Sequence, residues 1–128
     1  MTERTSQAAA VRLAVLLGGA GVLHFTSPQF FDMQVPRALP GNARTYTQVS
    51  GVAELAVAAS LAVPRTRRIG GALAAALFVA VFPANIDMAR RYVSSPKTSS
   101  VAKAAVLARL PLQIPLVTEA LKARRNAP

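Results

Sequence analysis

Residues 69–86, IGGALAAALFVAVFPANI, decide how the rest of the chain is read, because they form its longest run without an ionisable side chain. At about 1.5 Å of helical rise per residue they make a rod of roughly 27 Å, close to the ~30 Å hydrocarbon thickness of a bilayer. Arg65, Arg67 and Arg68 stand before the run and Arg90 and Arg91 after it. Cationic heads therefore bracket an apolar rod, where they can reach lipid headgroups on either side. A soluble domain of this length has too little core to surround a helix that is apolar on every face. The stretch is therefore expected to cross a membrane.

The composition agrees. The chain has 128 residues, 52% of them hydrophobic, enough for one domain and too few for two. It has no cysteine, which excludes disulfides, thiolate nucleophiles, CxxC redox pairs and cysteine-ligated zinc or iron–sulfur clusters. The only histidine is His24, which excludes paired-histidine haem ligation within one chain and leaves no metal site to expect. A formal net charge of +10 could point to nucleic acid. The basic residues, however, sit at the edges of apolar runs and have no aromatic residues interleaved among them, so membrane topology accounts for them and nucleic acid is not an expected partner.

Three further apolar runs flank the first. Residues 8–25 are interrupted only by Arg12, whose stem can snorkel to the surface. A signal peptide is the rival reading, but residues 24–31, HFTSPQFF, offer no small-x-small cleavage site, so a first span is expected, with Gly18, Gly19 and Gly21 open to a neighbouring helix. Residues 47–63 form a small-residue run with one charge, Glu54, closed by Pro64. The run at 69–88 carries Pro83, expected to release a carbonyl one turn earlier and to kink the helix. Residues 101–121 are the weakest run, broken by Lys103, Arg109, Pro111 and Pro115. The long connection at 26–46 contains Ser27-Pro28, an N-cap and first-turn pattern, which predicts a short interfacial helix from Pro28 to about Val35 with Phe30, Phe31 and Met33 partly buried. An ordinary loop with headgroup-anchored aromatics is the alternative.

The fold class expected is an all-α, integral membrane four-helix bundle. Arg4, Arg65, Arg67, Arg68, Lys122, Arg124 and Arg125 fall on one side and outnumber Arg37, Arg44, Arg90, Arg91 and Lys97 on the other. That bias places both termini in the cytoplasm and the long connection outside. Glu54 and Arg109 then lie roughly 10 and 12 Å below the outer surface. An isolated charge at such depth costs at least about 2.5–3.5 kcal/mol, so the two are expected to face inward and pair. His24 and Asn85 sit near the outer ends of their helices, and Gln113 continues the Arg109 face inward by one turn. His24, Glu54, Asn85, Arg109 and Gln113 are thus the candidates for ligand binding or proton relay. The competing explanation is that the pair only fixes helix register. His24 is either an end-capping or a titrating residue. Asp87, three and four residues before Arg90 and Arg91, reads as an interfacial ion pair.

A resemblance adds to this. Gly21-Val22-Leu23-His24-Phe25, Pro28-Gln29-Phe30-Phe31, Val35-Pro36 with Leu39-Pro40, Ser50-Gly51-Val52-Ala53-Glu54, Pro64-Arg65-Thr66-Arg67, Phe82-Pro83-Ala84-Asn85 with Met88, and Arg109-Leu110-Pro111-Leu112-Gln113 together resemble the DoxX-like family of small bacterial membrane proteins. The resemblance covers residues 24–113 in the same order. It implies a multi-pass protein of the bacterial plasma (inner) membrane, with His24, Glu54, Asn85, Arg109 and Gln113 inside recurring motifs. It also implies an accessory or anchoring subunit of a membrane-bound redox complex, linked to sulfur oxidation or oxidative stress, with redox enzymes as partners and a quinone as the bound group. With no cysteine, metal motif or cofactor motif, the chain is not expected to act as a redox enzyme alone. Two other classes compete: a small proton-coupled transporter, against which stand the position of Glu54 on the second span and the lack of tryptophan, and a structural or assembly factor without a ligand. Small-residue faces permit self-association without requiring it.

Overall fold

The computed structural model describes residues 5–128. Arg4, counted above for orientation, lies outside them. Every regular element among the described residues is helical: α1 (Ala8–Thr26), α2 (Pro28–Asp32), α3 (Ala43–Ala62), a 3-10 turn (Pro64–Thr66), α4 (Arg67–Ser94) and α5 (Ser100–Asn126). Three stretches are long and apolar enough to cross a membrane: Ala8–Thr26, Pro64–Ser94 and Ser100–Asn126. Helix α3 occupies the second expected run but is not among them. It starts four residues earlier than the apolar run, and Arg44, Thr45, Tyr46, Thr47, Gln48 and Ser50 dilute its first turns.

Helices α4 and α5 are longer than the apolar runs that announced them. At 28 residues, α4 extends to roughly 42 Å and continues unbroken through Pro83. The weakest run gives a continuous 27-residue helix, nucleated by Ser99, whose side chain accepts from the Ala102 amide at 3.1 Å. Pro111 and Pro115 lie within it. Each lacks the N–H that would serve the carbonyl four residues back, on Leu107 and Pro111 respectively.

The long helices form a ring in which α1 packs on α3, α3 on α4, α4 on α5 and α5 on α1. Helices α3 and α5 therefore face each other across a diagonal, as do α1 and α4. The α1–α3 contact is close. A Cβ on Gly51 would lie 2.8 Å from His24 Cβ, and one on Gly21 would lie 2.8 Å from Leu55 Cγ. Of the three glycines expected to admit a neighbour on α1, Gly21 does so, whereas Gly19 faces open space.

The two ends of the ring differ. Where α1 begins and α5 finishes, a continuous apolar cluster includes Leu13, Leu17, Val57, Leu61, Phe78 and Ala120. At the other end the core shrinks to Met88, Ala89 and Val106, with Tyr92 and Leu110, all from α4 and α5. Outside the ring, large apolar side chains point away from it, Val101 at 80% exposure and Val15 at 72% among them.

Arg67 closes the first end. Pro64 has no N–H for the Ser60 carbonyl, which instead accepts from Thr66 Oγ1 at 2.8 Å. The next two carbonyls of α3, on Leu61 and Ala62, accept from Arg67 Nε at 2.7 Å and Nη2 at 2.9 Å. A cation at a helix C-terminus satisfies orphan carbonyls and the negative end of the helix dipole together. Its Nη1 donates to Gln7 Oε1 at 2.9 Å. Gln7 Nε2 donates to the Asn126 carbonyl, and Asn126 Nδ2 to the Ser6 carbonyl at 3.1 Å. Read from sequence as one of several interfacial cations, Arg67 is in fact 7% exposed and a structural cap.

Candidate functional site

The polar residues gather at the opposite end, beneath the connection between α1 and α3. His24, near the end of α1, is buried, and its Nδ1 lies 2.6 Å from the Ala20 carbonyl and 3.1 Å from Glu54 Oε2 on α3. The ring N–H is directed at the carbonyl, so Oε2 is left without a hydrogen-bond donor. His24 and Glu54 each stand one turn beyond a glycine of the α1–α3 contact, Gly21 and Gly51. The close crossing of these two helices brings imidazole and carboxylate together.

This corrects the expected Glu54–Arg109 pair. Glu54 is on α3 and Arg109 on α5, across the diagonal of the ring, and no ion pair joins them among the described residues. Arg109 Nη1 instead donates to Gln113 Oε1 at 2.7 Å, one turn on. Gln113, 5% exposed, donates through Nε2 to the Phe78 carbonyl of α4. The five candidates thus divide into two groups. His24 and Glu54 touch, and Asn85 joins His24 around a cavity; Arg109 and Gln113 form a separate α5-to-α4 brace.

That cavity, of ≈ 170 Å³, is lined by His24 of α1, Phe31 of α2, Thr47 and Ser50 of α3, and Asn85 of α4, together with Val35, Pro36 and Leu39 of the connection. Asn85 is 6% exposed, and its Nδ2 has no hydrogen-bond partner. Buried polar groups are nearly always paired, so an orphan amide beside a cavity marks a place for an external acceptor. Phe31 stacks on His24 with ring centroids 3.7 Å apart and planes at 19°. A larger vestibule of ≈ 570 Å³ adjoins it, sharing Val35, Pro36, Leu39 and Tyr46, and is rimmed by Asp32, Arg37 and Arg91.

The strap that borders the cavity, residues 27–42 between α1 and α3, is tied down at several points. Helix α2 is shorter than expected, ending at Asp32, and Ser27 makes no side-chain cap although Pro28 does open it. Phe30 and Met33 face away from the protein, on the side where an interfacial helix would meet headgroups, and Phe31 turns inward onto His24. Asp32 accepts from Thr47 Oγ1 at 2.6 Å and from Arg44 Nε at 3.0 Å. The Thr47 hydrogen bond, with help from Arg44 and against some burial, holds the Asp32 carboxyl below its ordinary range. Arg91, paired with Asp87 at 2.8 Å, donates to the Met33 carbonyl at 3.0 Å, and Tyr46 donates to the Pro40 carbonyl at 2.6 Å. Arg90 lies 3.6 Å from the other oxygen of Asp87.

Phe31, Thr47 and Ser50 belong to the site and were not singled out from sequence as members of it. The available signal was the repeated spacing Gly21-x-x-His24 and Gly51-x-x-Glu54, which marks where two helices cross closely with a polar group on each. Among the described residues no group of three or more His, Cys, Asp or Glu side chains could hold a metal ion.

The chain belongs to a family described as a domain of unknown function, DUF8561, which it matches over residues 13–124. The match takes in both cavities and most of all four long helices. No curated protein and no solved structure matches the chain.

Proposed function

We propose that the protein is an integral membrane bundle of four spans with both termini cytoplasmic, serving as an accessory or anchoring subunit of a membrane-bound redox complex, with the His24–Glu54 contact as its proton-binding point. The observation that carries this reading is an ionisable pair set among apolar helices, with one carboxylate oxygen lacking a donor. Intramembrane ionisable residues are costly and are kept where they move protons or bind ligands. Apolar side chains facing outward from all four helices, such as Val15, Val52, Ile69 and Ile114, support insertion. The remaining span, α3, is the one that is not by itself long and apolar enough to be marked as a crossing, and its polar first turns meet the polar cavity.

A quinone is compatible with this end of the bundle. The unpartnered Asn85 amide can donate to a ring carbonyl, and Phe31 offers an aromatic face. When bound, such a group supplies two-electron, two-proton redox chemistry. The chain's own residues position and exclude: Thr47 and Asp32 fasten the strap, Phe31 shields His24, and His24 stands between the cavity and Glu54, where a proton can be held on Nδ1 or the carboxylate. An accessory role in a bacterial plasma membrane follows from the DoxX-like resemblance and remains part of the proposal.

The test is purification in mild detergent from native membranes, with mass spectrometry of retained lipids and proteins, for the wild type and Glu54→Gln. Wild type is expected to retain a quinone and a redox-enzyme partner, and Glu54→Gln to lose the quinone while keeping its helix content. Retention of neither by the wild type would sink the reading. Because the chain has no cysteine, Thr5→Cys and Ala38→Cys can be labelled separately. Reaction of Ala38→Cys only from outside, and of Thr5→Cys only after the membrane is opened, is the topology expected.

A further inference from the structure

We propose that the inner cavity binds a small neutral molecule through a carbonyl-type acceptor held by Asn85 Nδ2, and that this molecule arrives from the vestibule by way of Leu39 and Tyr46. The inference names the ligand class for the site above and rests on that reading only for the membrane setting.

Charge decides the class. Among the described residues no Asp, Glu, Lys or Arg lines the inner cavity, and His24 is the only ordinarily titratable side chain there besides the Tyr46 phenol. An ion placed there would shed water without gaining a counter-charge, which is strongly unfavourable. The charged groups stand instead at the rim of the vestibule, on Asp32, Arg37 and Arg91, where they remain hydrated. The hydrogen-bonding requirement narrows the class further. Asn85 is held on α4 with an amide nitrogen that no protein atom satisfies. A carbonyl oxygen answers that donor, and a hydrocarbon does not. Shape adds a preference for flat rings, because Phe31, fixed in a stack on His24, and Tyr46 both line the cavity.

The route follows from shared walls. Val35, Pro36, Leu39 and Tyr46 line both spaces, so the partition between them is the strap itself and the side chain of Tyr46. The apolar groove of ≈ 490 Å³ between α4 and α5 is lined by Phe82, Leu110 and Ile114, and it shares no residue with the inner cavity. That groove offers no connection to Asn85.

The cysteine-free background provides the test. Ser50→Cys places a thiol on the cavity wall, and its rate of labelling by N-ethylmaleimide is followed in nanodiscs. Acetophenone and duroquinone, both neutral carbonyl compounds, are expected to slow labelling saturably, by about tenfold when present at ten times their half-saturating concentration. The anionic analogue 4-acetylbenzenesulfonate is expected to give no protection. Asn85→Leu in the same background should abolish protection, read as the ratio of that variant's own labelling rates with and without the neutral compound; Asn85→Ala serves if the leucine variant loses helix content. Leu39→Trp should slow labelling by narrowing the partition. Absence of protection by the neutral compounds, equal protection by the sulfonate, or undiminished protection without the Asn85 amide would overturn the inference, and an unchanged rate in Leu39→Trp would overturn the route. Protection by acetophenone in a protein that retains no native quinone would uphold this inference while removing the redox reading. Protection by duroquinone alone would overturn the wider carbonyl class.

Discussion

At one end of the bundle, leucine and alanine from all four long helices close against each other and a buried arginine ties off the chain; at the other, α1, α3 and α4 border two cavities, and two polar atoms among the described residues are unsatisfied. The helices are shared, so secondary structure does not account for the difference. Side-chain volume and hydrogen-bond completeness do. Leu13, Leu17 and Leu61 interlock where the bundle is dry, whereas Thr47, Ser50 and Asn85 occupy the corresponding inward positions near the connection. A well-packed, fully bonded end supplies rigidity, and incompletely satisfied polar groups concentrate where proteins bind something.

The comparison can be broken most forcefully at Arg67. Arg67→Ala leaves the carbonyls of Leu61 and Ala62 and the Gln7 amide oxygen without their donor, a loss on the order of 4 kcal/mol for hydrogen bonds to a buried charged group. Reversible unfolding in mixed detergent micelles measures it, and Arg67→Lys should recover only part. If the variant is as stable as the parent, the closed end is not what holds the bundle.

Glycine substitutions sharpen the contrast at a smaller scale. A Cβ on Gly71 would meet the Arg124 amide nitrogen at 2.7 Å and the Ala120 carbonyl at 2.9 Å, backbone atoms that cannot swing aside. On Gly51 it would meet the Phe25 ring, which is half exposed and can turn, at 2.7 Å, and His24 Cβ, which yields only if α1 moves, at 2.8 Å. Gly71→Ala, blocked by backbone atoms, is expected to cost about 3 kcal/mol and Gly51→Ala about 2 kcal/mol, within the usual range for overpacking. Equal losses would show that the loop end is packed as tightly as the other.

Arg91→Ala removes one tie of the strap, its bond to the Met33 carbonyl, and the Asp87 pair. At a partly exposed site the global effect should stay near or below about 1 kcal/mol. Amide hydrogen exchange at residues 33–40 should nevertheless quicken while that around Leu61 does not change.

The smallest expected effect is a local response to acid. Since Asp32 titrates lower in the folded strap than in a free chain, its contribution is present above its ordinary pKa and is lost as pH falls through the lower, folded value. Exchange in the strap should therefore rise below about pH 4, the ordinary aspartate range, and Asp32→Asn should remove that dependence. A strap indifferent to acid would mean that Thr47 and Arg44 do not secure it.

Much of the helical layout could be read from the chain because it depends on local quantities. Apolar run length located α1, α4 and α5, and Pro64 marked the end of α3. Helix α5 was harder to read, because Pro111 and Pro115 remove donors that an isolated helix would miss, yet packing on α4 keeps it continuous. Of the site, depth along each helix placed His24, Glu54 and Asn85 in the same outer half of the bundle. Depth says nothing about which helix is adjacent to which, and this is why Glu54 was assigned the wrong partner. Rotation about the ring axis is fixed by the α1–α3 glycine contact, a property of two segments thirty residues apart. Likewise Arg67 was indistinguishable from Arg65 and Arg68 by sequence, since only the carbonyls of Leu61 and Ala62, left bare where α3 ends, single it out.

The clasp in which Gln7 reaches the Asn126 carbonyl and Asn126 reaches the Ser6 carbonyl has a mechanical meaning. The polypeptide leaves the bundle from neighbouring points, so tension applied at Ser6 and Asn126 loads two hydrogen bonds and hardly strains the helices between them. The molecule is close to a closed ring, and a covalent bridge from residue 5 to residue 127 would complete it with little change in shape. New ends could then be opened at Gly41, whose φ of 87° already marks an exposed turn. A circular permutant of that kind should keep the same four-helix arrangement, and a partner that grips Ser6 meets Asn126 alongside it.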